Sequence, residues 1–145
     1  MPTLGGMNNA QDIQHILATC KTVAVVGLSP KPHRASFEVA HYMQMQGWRI
    51  IPVNPVAAAS GTPILGEKVY ATLLDAAQHE KIELVDVFRK SEDVPPVAAQ
   101  AIAIGAQALW LQLGIENTEA AQTARAAGLR VVQNKCLLVE HARQR

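Results

Sequence analysis

The feature that most constrains the fold of this chain is an alternation between short aliphatic runs and segments of helical period. The aliphatic runs occupy residues 23–26, 49–53, 83–87, 108–111 and 129–132. Most of the segments between them are rich in alanine and place their apolar residues at helical spacing. Buried runs that alternate with amphipathic helices are typical of a parallel sheet covered by helices. The sequence therefore predicts one α/β domain over residues 1–145, built in three layers around a central five-stranded parallel sheet.

Capping residues predict where the helices begin and end. Ser36 is the expected N-cap of a helix that ends near Gly47, because serine accepts hydrogen bonds from a first turn and glycine adopts the left-handed conformation that closes a helix. The side chains of this helix that are predicted to face the core are Phe37, Ala40, Met43 and Met45. Asp93 and Asn117 are the expected caps of two later helices, near residues 93–105 and 117–128. Further helices are predicted near residues 10–19, 72–79 and 138–143, and residues 57–66 are predicted as a surface loop.

Charge and cysteine content exclude several classes of protein. The chain has 13 basic and 12 acidic side chains and a formal net charge of +1, which gives no electrostatic reason to expect nucleic-acid or membrane-surface binding. Residues 1–11 lack the basic and apolar regions of a signal peptide, and no stretch reaches the ~20 apolar residues that span a bilayer. Cys20 and Cys136 are too few for a disulfide scaffold and belong to no C-x-x-C pair. We therefore expect a cytoplasmic protein with reduced thiols and no metal site.

Polar or turn-forming residues follow every predicted strand. They occupy residues 27–30, 54–55, 88–90, 112–114 and 133–136. Because ligands of open parallel sheets bind beyond the carboxyl ends of the strands, we expect these residues to meet at one edge of the sheet and to form a ligand cleft there.

The loop after the first strand departs from the usual dinucleotide site. Such a site reads G-x-G-x-x-G and has an acidic residue after the second strand, which holds the ribose. Here only Gly27 of the three glycines is present, and Asn54 follows the second strand. Both departures count against a nicotinamide cofactor.

The same loop has the chemistry of a phosphate site. It leads into a helix N-terminus, whose free N–H groups and positive dipole end favour an anion. Lys31 and Arg34 add positive charge, and the hydroxyl groups of Ser29 and Ser36 can bond phosphate oxygens. The alternative is that Lys31, His33 and Arg34 are only a solvated connection between strand and helix.

Six collinear segments give the sequence a specific resemblance that covers nearly the whole chain. They are residues 23–40, 47–55, 64–70, 85–95, 108–117 and 127–143, including VAVVGLSPKPHRASFEVA at the start. Through them the chain resembles the small bacterial CoA-binding proteins that consist of one Rossmann-like domain, similar to the nucleotide-binding domain of the succinyl-CoA synthetase α subunit.

The resemblance implies a role for each group of residues after the strands. The residues implied to surround the phosphates of CoA are Gly27, Leu28, Ser29, Arg34 and Ser36. Lys31 is added to this group because of its charge. Asn54 and Pro55 are implied to shape the adenosine end, and Phe88 and Arg89 to lie along the nucleotide. The residues implied to border the pantetheine are Gln112, Leu113 and Gly114, and those implied to face the thiol end are Asn134 and Cys136.

Three classes of function remain open. The leading interpretation is a module that binds coenzyme A or an acyl-CoA without complete catalytic machinery of its own and acts as a carrier, a sensor or a partner of an acyl-CoA enzyme. The alternatives are a small NAD(P)- or flavin-dependent oxidoreductase and an interaction protein that has kept the fold. Cys136 is interpreted either as a thiol that exchanges with CoA or as a half-buried packing residue, and Asp86 as a buried or bridging polar group within the third strand.

Overall fold

A computed structural model describes residues 10–144 of the chain. The expectation that the chain begins without a signal peptide falls mainly on residues 1–9, which lie outside this range. No helix within residues 10–144 has both the length and the apolar character needed to cross a bilayer.

Helices and strands alternate as the sequence predicts. The strands are β1 (Thr22–Val26), β2 (Arg49–Val53), β3 (Leu84–Val87), β4 (Ala108–Leu111) and β5 (Arg130–Val132). The helices of the described range are α1 (Ala10–Thr19), α2 (Ala35–Met45), α3 (Pro55–Ser60), α4 (Leu73–Ala77), α5 (Val94–Ala103), α6 (Thr118–Ala126) and α7 (Leu137–Arg143). A short 3-10 turn, Ser91–Asp93, precedes α5.

All five strands are parallel and lie in the order β2-β1-β3-β4-β5. The predicted Rossmann-like α/β fold with a five-stranded parallel sheet is therefore confirmed. The chain moves outward from β1 to β2 and then crosses back to β3 on the other side of β1. Because strand order reverses between β1 and β3, a crevice opens at their carboxyl ends, where ligands of such sheets bind.

Each face of the sheet buries its own apolar cluster, because successive side chains of a strand point to opposite faces. Val23 and Val25 of β1 lie in the cluster that α1, α2 and α7 cover. Ala24 and Val26 lie in the cluster that α4, α5 and α6 cover. The helices therefore form two layers around the sheet, as the three-layer prediction requires.

Helix α2 differs from its prediction in two ways. Its N-cap is Arg34, and Ser36 lies within the first turn. The Ser36 hydroxyl oxygen does not cap the helix, because it accepts a hydrogen bond from the backbone N–H of Ser29. The inward face is Val39, Ala40 and Met43, and the side chain of Met45 is 72% exposed. Met45 follows Met43 by two residues, about 200° around the helix, and so points to the opposite face.

The expected surface loop at residues 57–66 is partly helical. Asn54 accepts hydrogen bonds from the N–H groups of Val56 and Ala57, and Pro55 occupies the first helical position of α3. Asn-Pro is a strong helix start, and its signal was missed because the helix has only six residues and ends at Gly61. The other predicted helices are confirmed, although Asp93 stands at the N-cap of α5 without a side-chain hydrogen bond to it.

Gly27 makes the close approach between β1 and β3 possible. Its N–H donates to the carbonyl oxygen of Val53 at 2.9 Å, and the N–H of Phe88 donates to that of Val26 at 2.9 Å. Gly27 has a φ of +90°, and a Cβ atom added there would lie 2.5 Å from the carbonyl oxygen of Phe88. A side chain at residue 27 would therefore both strain the backbone and separate the two strand ends.

Asp86 is buried, as its place in the third strand predicts. Its side chain is fully inaccessible, and neither carboxyl oxygen has a hydrogen-bond partner among the described residues. In the sheet it lies in register with Val25 on one side and Trp110 on the other. Burial raises the pKa of the Asp86 carboxyl well above its ordinary value, because an apolar environment disfavours the charged form.

We expect Gly27→Ala to destabilise the fold more than Gly47→Ala. The two glycines have nearly the same φ, +90° and +92°, but nothing lies within 4 Å of a Cβ atom at Gly47. The control variant should lose about 1 kcal/mol from backbone strain alone, and Gly27→Ala should lose more than about 2 kcal/mol because strain and steric overlap add. Chemical denaturation measures both free energies of unfolding, and equal losses would contradict this account of the β1–β3 junction.

We expect Asp86→Asn to change how stability depends on pH. The folded-state pKa lies above the unfolded value of about 3.9, so the folded protein holds an extra proton between the two, and its free energy of unfolding falls as pH rises through that window. The variant has no titrating carboxyl group at this position. The free energy of unfolding of the variant minus that of the wild type should therefore increase with rising pH, by at most about 1.4 kcal/mol per pH unit. Denaturation from pH 4 upward, with the exposed Glu119→Gln as control, tests this. A difference that is constant with pH for Asp86→Asn would be the contrary result.

Candidate functional site

A cavity of 380 Å³ opens at the carboxyl ends of β1 and β3, where strand order reverses. We call it the α2 cavity because the N-terminus of α2 forms one wall. The residues that line it are Gly27, Ser29, Lys31, Arg34, Ala35, Ser36 and Phe88. All except Ala35 are among the residues that the sequence points to. Ala35 begins the first turn of α2, and it was missed because the N-cap was predicted at Ser36, two residues after the observed N-cap, Arg34.

The N-terminus of α2 lacks a capping side chain. Arg34 occupies the N-cap position, and its side chain makes no capping hydrogen bond. Helices α3, α4 and α6 are capped by the side chains of Asn54, Thr72 and Asn117, whereas α5 and α7 lack a side-chain cap as α2 does. Of the three helices without such a cap, only α2 contributes its first turn to the α2 cavity. The first N–H groups of a helix have no partner within the helix, so those of α2 face the α2 cavity without a capping side chain. Glu38 places one acidic side chain in the first turn of α2, but it does not line the cavity.

Two exposed cations stand beside this helix end. Lys31 and Arg34 are both exposed and both line the α2 cavity. Within residues 10–144 no carboxylate forms a salt bridge with either one. Their charges therefore add to the positive end of α2, and the arrangement is suited to hold an anion with several oxygen atoms.

Hydrogen bonds hold the β1–α2 loop (residues 27–34) in shape. The N–H of Ser29 donates to the hydroxyl oxygen of Ser36 at 3.0 Å, and the N–H of Lys31 donates to that of Ser29 at 3.1 Å. The carbonyl oxygen of Leu28 accepts from the side-chain amide of Asn54 at 2.9 Å. Leu28 is fully buried and lines neither this cavity nor the next one described, and Ser36 is also buried, so the sequence-predicted Leu28 offers no open group to a ligand in this conformation.

A second cavity, of 130 Å³, lies on the other side of Gly27. We call it the α4 cavity because it reaches the N-terminus of α4. Its lining consists of Val26, Gly27, Val53, Pro55, Ala71, Thr72, Leu73, Arg89, Val97 and Gln100. Three residues of this cavity were identified from the sequence, namely Gly27, Pro55 and Arg89. Arg89 lines the cavity, and its guanidinium group pairs with Asp93 at 3.8 Å, with both side chains nearly half exposed.

Sequence reasoning missed the α4 side of this cavity. The sequence marks Thr72 as the start of the helix that follows β2. Because that position comes after the carboxyl end of β2, it could have placed Thr72 at the edge of the sheet where the cavity lies. Val97 and Gln100 lie on α5, and nothing in their spacing distinguishes them from the rest of that helix.

The predicted residues after β4 and β5 lie at the same edge but line neither cavity. Their side chains lock the two segments together: the N–H of Gly114 donates to Asn134 at 2.6 Å, and the N–H of Leu137 donates to the buried side chain of Gln112 at 3.2 Å. Leu113 is 71% exposed and Cys136 is half-buried. One exposed apolar side chain and one half-buried thiol thus lie at this edge of the sheet, while the side-chain oxygens of Gln112 and Asn134 already accept hydrogen bonds.

Among the described residues, no group of three or more histidine, cysteine or acidic side chains is placed to hold a metal ion.

Comparison with known proteins places this geometry in a family. The uncharacterized protein YneT of Bacillus subtilis is 39% identical over 131 residues, which are 90% of this chain and 93% of that protein. A solved structure from Thermus thermophilus is 36% identical with a TM-score of 0.85, over 93% of this chain and 98% of its own. A hypothetical protein from Pyrococcus horikoshii OT3 is 38% identical with a TM-score of 0.85, over 99% of this chain and 96% of its own.

These relatives share the fold over almost their whole length. The family described as CoA binding domain matches residues 21–142, from just before β1 into the last turn of α7. This range includes both cavities and all five strands. The chain therefore belongs to the family of CoA binding domains.

Proposed function

We propose that this protein binds coenzyme A or an acyl-CoA, with the phosphates held in the α2 cavity. The observation that carries the proposal is the uncapped N-terminus of α2, which faces a cavity beside Lys31 and Arg34, neither of which has a salt-bridge partner within residues 10–144. CoA carries a diphosphate and a 3′-phosphate, so it is matched by backbone N–H groups and two positive charges in one place. Membership of the CoA binding domain family supports this ligand among the phosphate-rich ones.

The direct phosphate contacts are proposed for the groups that remain open in the α2 cavity. They are the backbone of Gly27, the N–H groups of residues 35–37 in the first turn of α2, the hydroxyl group of Ser29, and the charged ends of Lys31 and Arg34. Leu28 is fully buried, so its proposed part is to shape the loop behind these groups. The hydroxyl group of Ser29 accepts from Lys31 and can still donate to a phosphate oxygen. Ser36 lies next to this loop in the first turn of α2, and its oxygen atom already accepts from Ser29.

The adenosine end is proposed to lie toward β2. Asn54 and Pro55 follow that strand, and Pro55 lines the mainly apolar α4 cavity, which suits a flat heterocycle. Phe88 lines the α2 cavity and Arg89 the α4 cavity, so the two consecutive residues stand between the proposed phosphate and base positions. Asn54 in place of an acidic residue leaves this end without a charge that would repel the 3′-phosphate.

The pantetheine arm is proposed to run from the α2 cavity over the ends of β4 and β5. Gln112, Leu113 and Gly114 would border it, and Asn134 and Cys136 would stand near the thiol. The 71% exposed side chain of Leu113 supports this path because it offers apolar surface to the arm.

We further propose that the chain acts as one CoA-binding domain in the cytoplasm. In this proposal it serves as a binding module for an acyl-CoA enzyme, like the nucleotide-binding domain of the succinyl-CoA synthetase α subunit. No residue of the α2 cavity is an acid, and none is a cysteine, so the proposed role of the cavity is to bind and orient the cofactor.

Titration calorimetry with four ligands tests the proposed function. We expect the protein to bind CoA more tightly than 3′-dephospho-CoA, and either one more tightly than NAD or ATP. The extra phosphate should favour CoA because it adds charge-assisted hydrogen bonds, each worth about 1.5–3 kcal/mol. Equal affinity for all four ligands would remove the proposal. Preferential binding of NAD or of a flavin would favour the oxidoreductase alternative, and binding of none would favour an interaction protein.

Replacement of the cations tests where the phosphates lie. Arg34→Ala should weaken CoA binding by about 10- to 100-fold, because a charged hydrogen bond of about 1.5–3 kcal/mol is lost. Lys31→Ala should weaken it in the same direction, and the difference from wild type should shrink at high salt. Lys81→Ala is the matched control, since Lys81 is exposed near the amino end of β3, at the opposite edge of the sheet. Calorimetry at two salt concentrations measures all three, and unchanged affinity in Arg34→Ala would move the phosphates elsewhere.

A further inference from the structure

Two side chains hold consecutive residues of the β1–α2 loop from opposite sides. The amide nitrogen of Asn54 donates to the carbonyl oxygen of Leu28 at 2.9 Å, and the hydroxyl oxygen of Ser36 accepts from the N–H of Ser29 at 3.0 Å. Asn54 follows β2 and Ser36 belongs to α2, so the peptide that joins Leu28 to Ser29 is held between two separate elements.

Asn54 is itself held firmly. Its side-chain oxygen accepts from the N–H groups of Val56 and Ala57 at 2.9 and 3.0 Å. Its own N–H donates to the carbonyl oxygen of Tyr70 at 2.9 Å. With these bonds and the one to Leu28, only one amide hydrogen of Asn54 is left for a ligand. The arrangement is that of a brace between three chain segments.

Ser36 has even less surface to offer. The residue is 6% exposed, and its hydroxyl oxygen points to the loop backbone. Ser36 lies on the buried face of α2, in line with Val39, Ala40 and Met43. On that face its hydroxyl oxygen accepts from the N–H of Ser29, and this bond fixes the loop against the start of α2.

We propose that Asn54 and Ser36 are positioning residues, which hold the β1–α2 loop in the conformation that binds phosphate and do not themselves carry the affinity through ligand contact. The inference rests on the proposed function and deepens it. A loop that is already ordered loses less conformational entropy when a ligand binds, so the two bonds raise affinity before any ligand arrives.

Variants of Asn54 can remove its hydrogen bond to the loop while they keep its cap of α3. Asn54→Ser keeps an oxygen that caps a helix but cannot reach the carbonyl oxygen of Leu28 with an amide group. Ser36→Ala removes the acceptor of the Ser29 N–H, and Ser36→Thr restores it. Asn117→Ser is a matched control, because Asn117 makes the same two kinds of bond at another helix. Its side-chain oxygen caps α6, and its side-chain amide donates to the carbonyl oxygen of Ser91 at 3.0 Å.

The test combines amide hydrogen exchange of the ligand-free protein with affinities for two probes, CoA and inorganic diphosphate. We expect Asn54→Ser and Ser36→Ala to speed exchange at residues 28–31 and to weaken both probes by the same factor, about tenfold, as for one lost hydrogen bond. Ser36→Thr should recover most of this loss. Asn117→Ser should leave loop exchange and both affinities unchanged, even where it lowers the melting temperature.

Three results would overturn the inference. The first is unchanged loop exchange in Asn54→Ser and Ser36→Ala. The second is a loss of CoA affinity in Asn54→Ser with undiminished diphosphate affinity, which would mean that Asn54 contacts the nucleoside directly. The third is a wild-type protein that binds neither probe, which would overturn the proposed function as well. A wild-type protein that binds diphosphate but not CoA would remove only the proposed function, and the variants would then support the inference through diphosphate alone.

Discussion

The structure depends on how closely β1 and β3 approach at their carboxyl ends. Gly27 permits that approach, because the carbonyl oxygen of Phe88 occupies the space of its missing Cβ atom. The backbone bonds from Gly27 to Val53 and from Phe88 to Val26 then join β2, β1 and β3 at one point. The two cavities share Gly27 as a common wall, so the same contact that closes the sheet also determines where a ligand can lie.

The chemistry of the α2 cavity follows from the way α2 begins. Helices α3, α4 and α6 each have a polar cap, whereas α2 begins at an arginine whose side chain does not cap it. A helix of 11 residues presents a positive end there, and Lys31 and Arg34 add to it. The residue that would normally serve as a cap, Ser36, is turned inward to hold the loop. The loop is thereby ordered, and the charged ends of Lys31 and Arg34 are left open, which are the two properties that the proposed phosphate site needs.

The sequence was sufficient for the sheet and for most of the α2 cavity, because period and strand-end chemistry are local signals. The positions of Lys31, Arg34 and Phe88 beside Gly27 follow once five parallel strands are assumed. The rest depended on tertiary contacts. The bond from Ser29 to Ser36 and the bond from Asn54 to Leu28 join residues whose proximity no local pattern reveals. The exposure of Met45, in contrast, follows from helical period and could have been predicted from the sequence. The α4 cavity was missed for the same reason, since Val97 and Gln100 reach it from α5 across the sheet edge.

The most direct test of this account is a crystal structure of the protein soaked or co-crystallised with CoA. The account predicts diphosphate oxygens within hydrogen-bond distance of the backbone N–H groups of residues 35–37, with the guanidinium group of Arg34 beside them and the β1–α2 loop in the conformation described above. A complex in which CoA lies away from the N-terminus of α2, or in which the loop must rebuild its bonds to Asn54 and Ser36 to admit the phosphates, would contradict it.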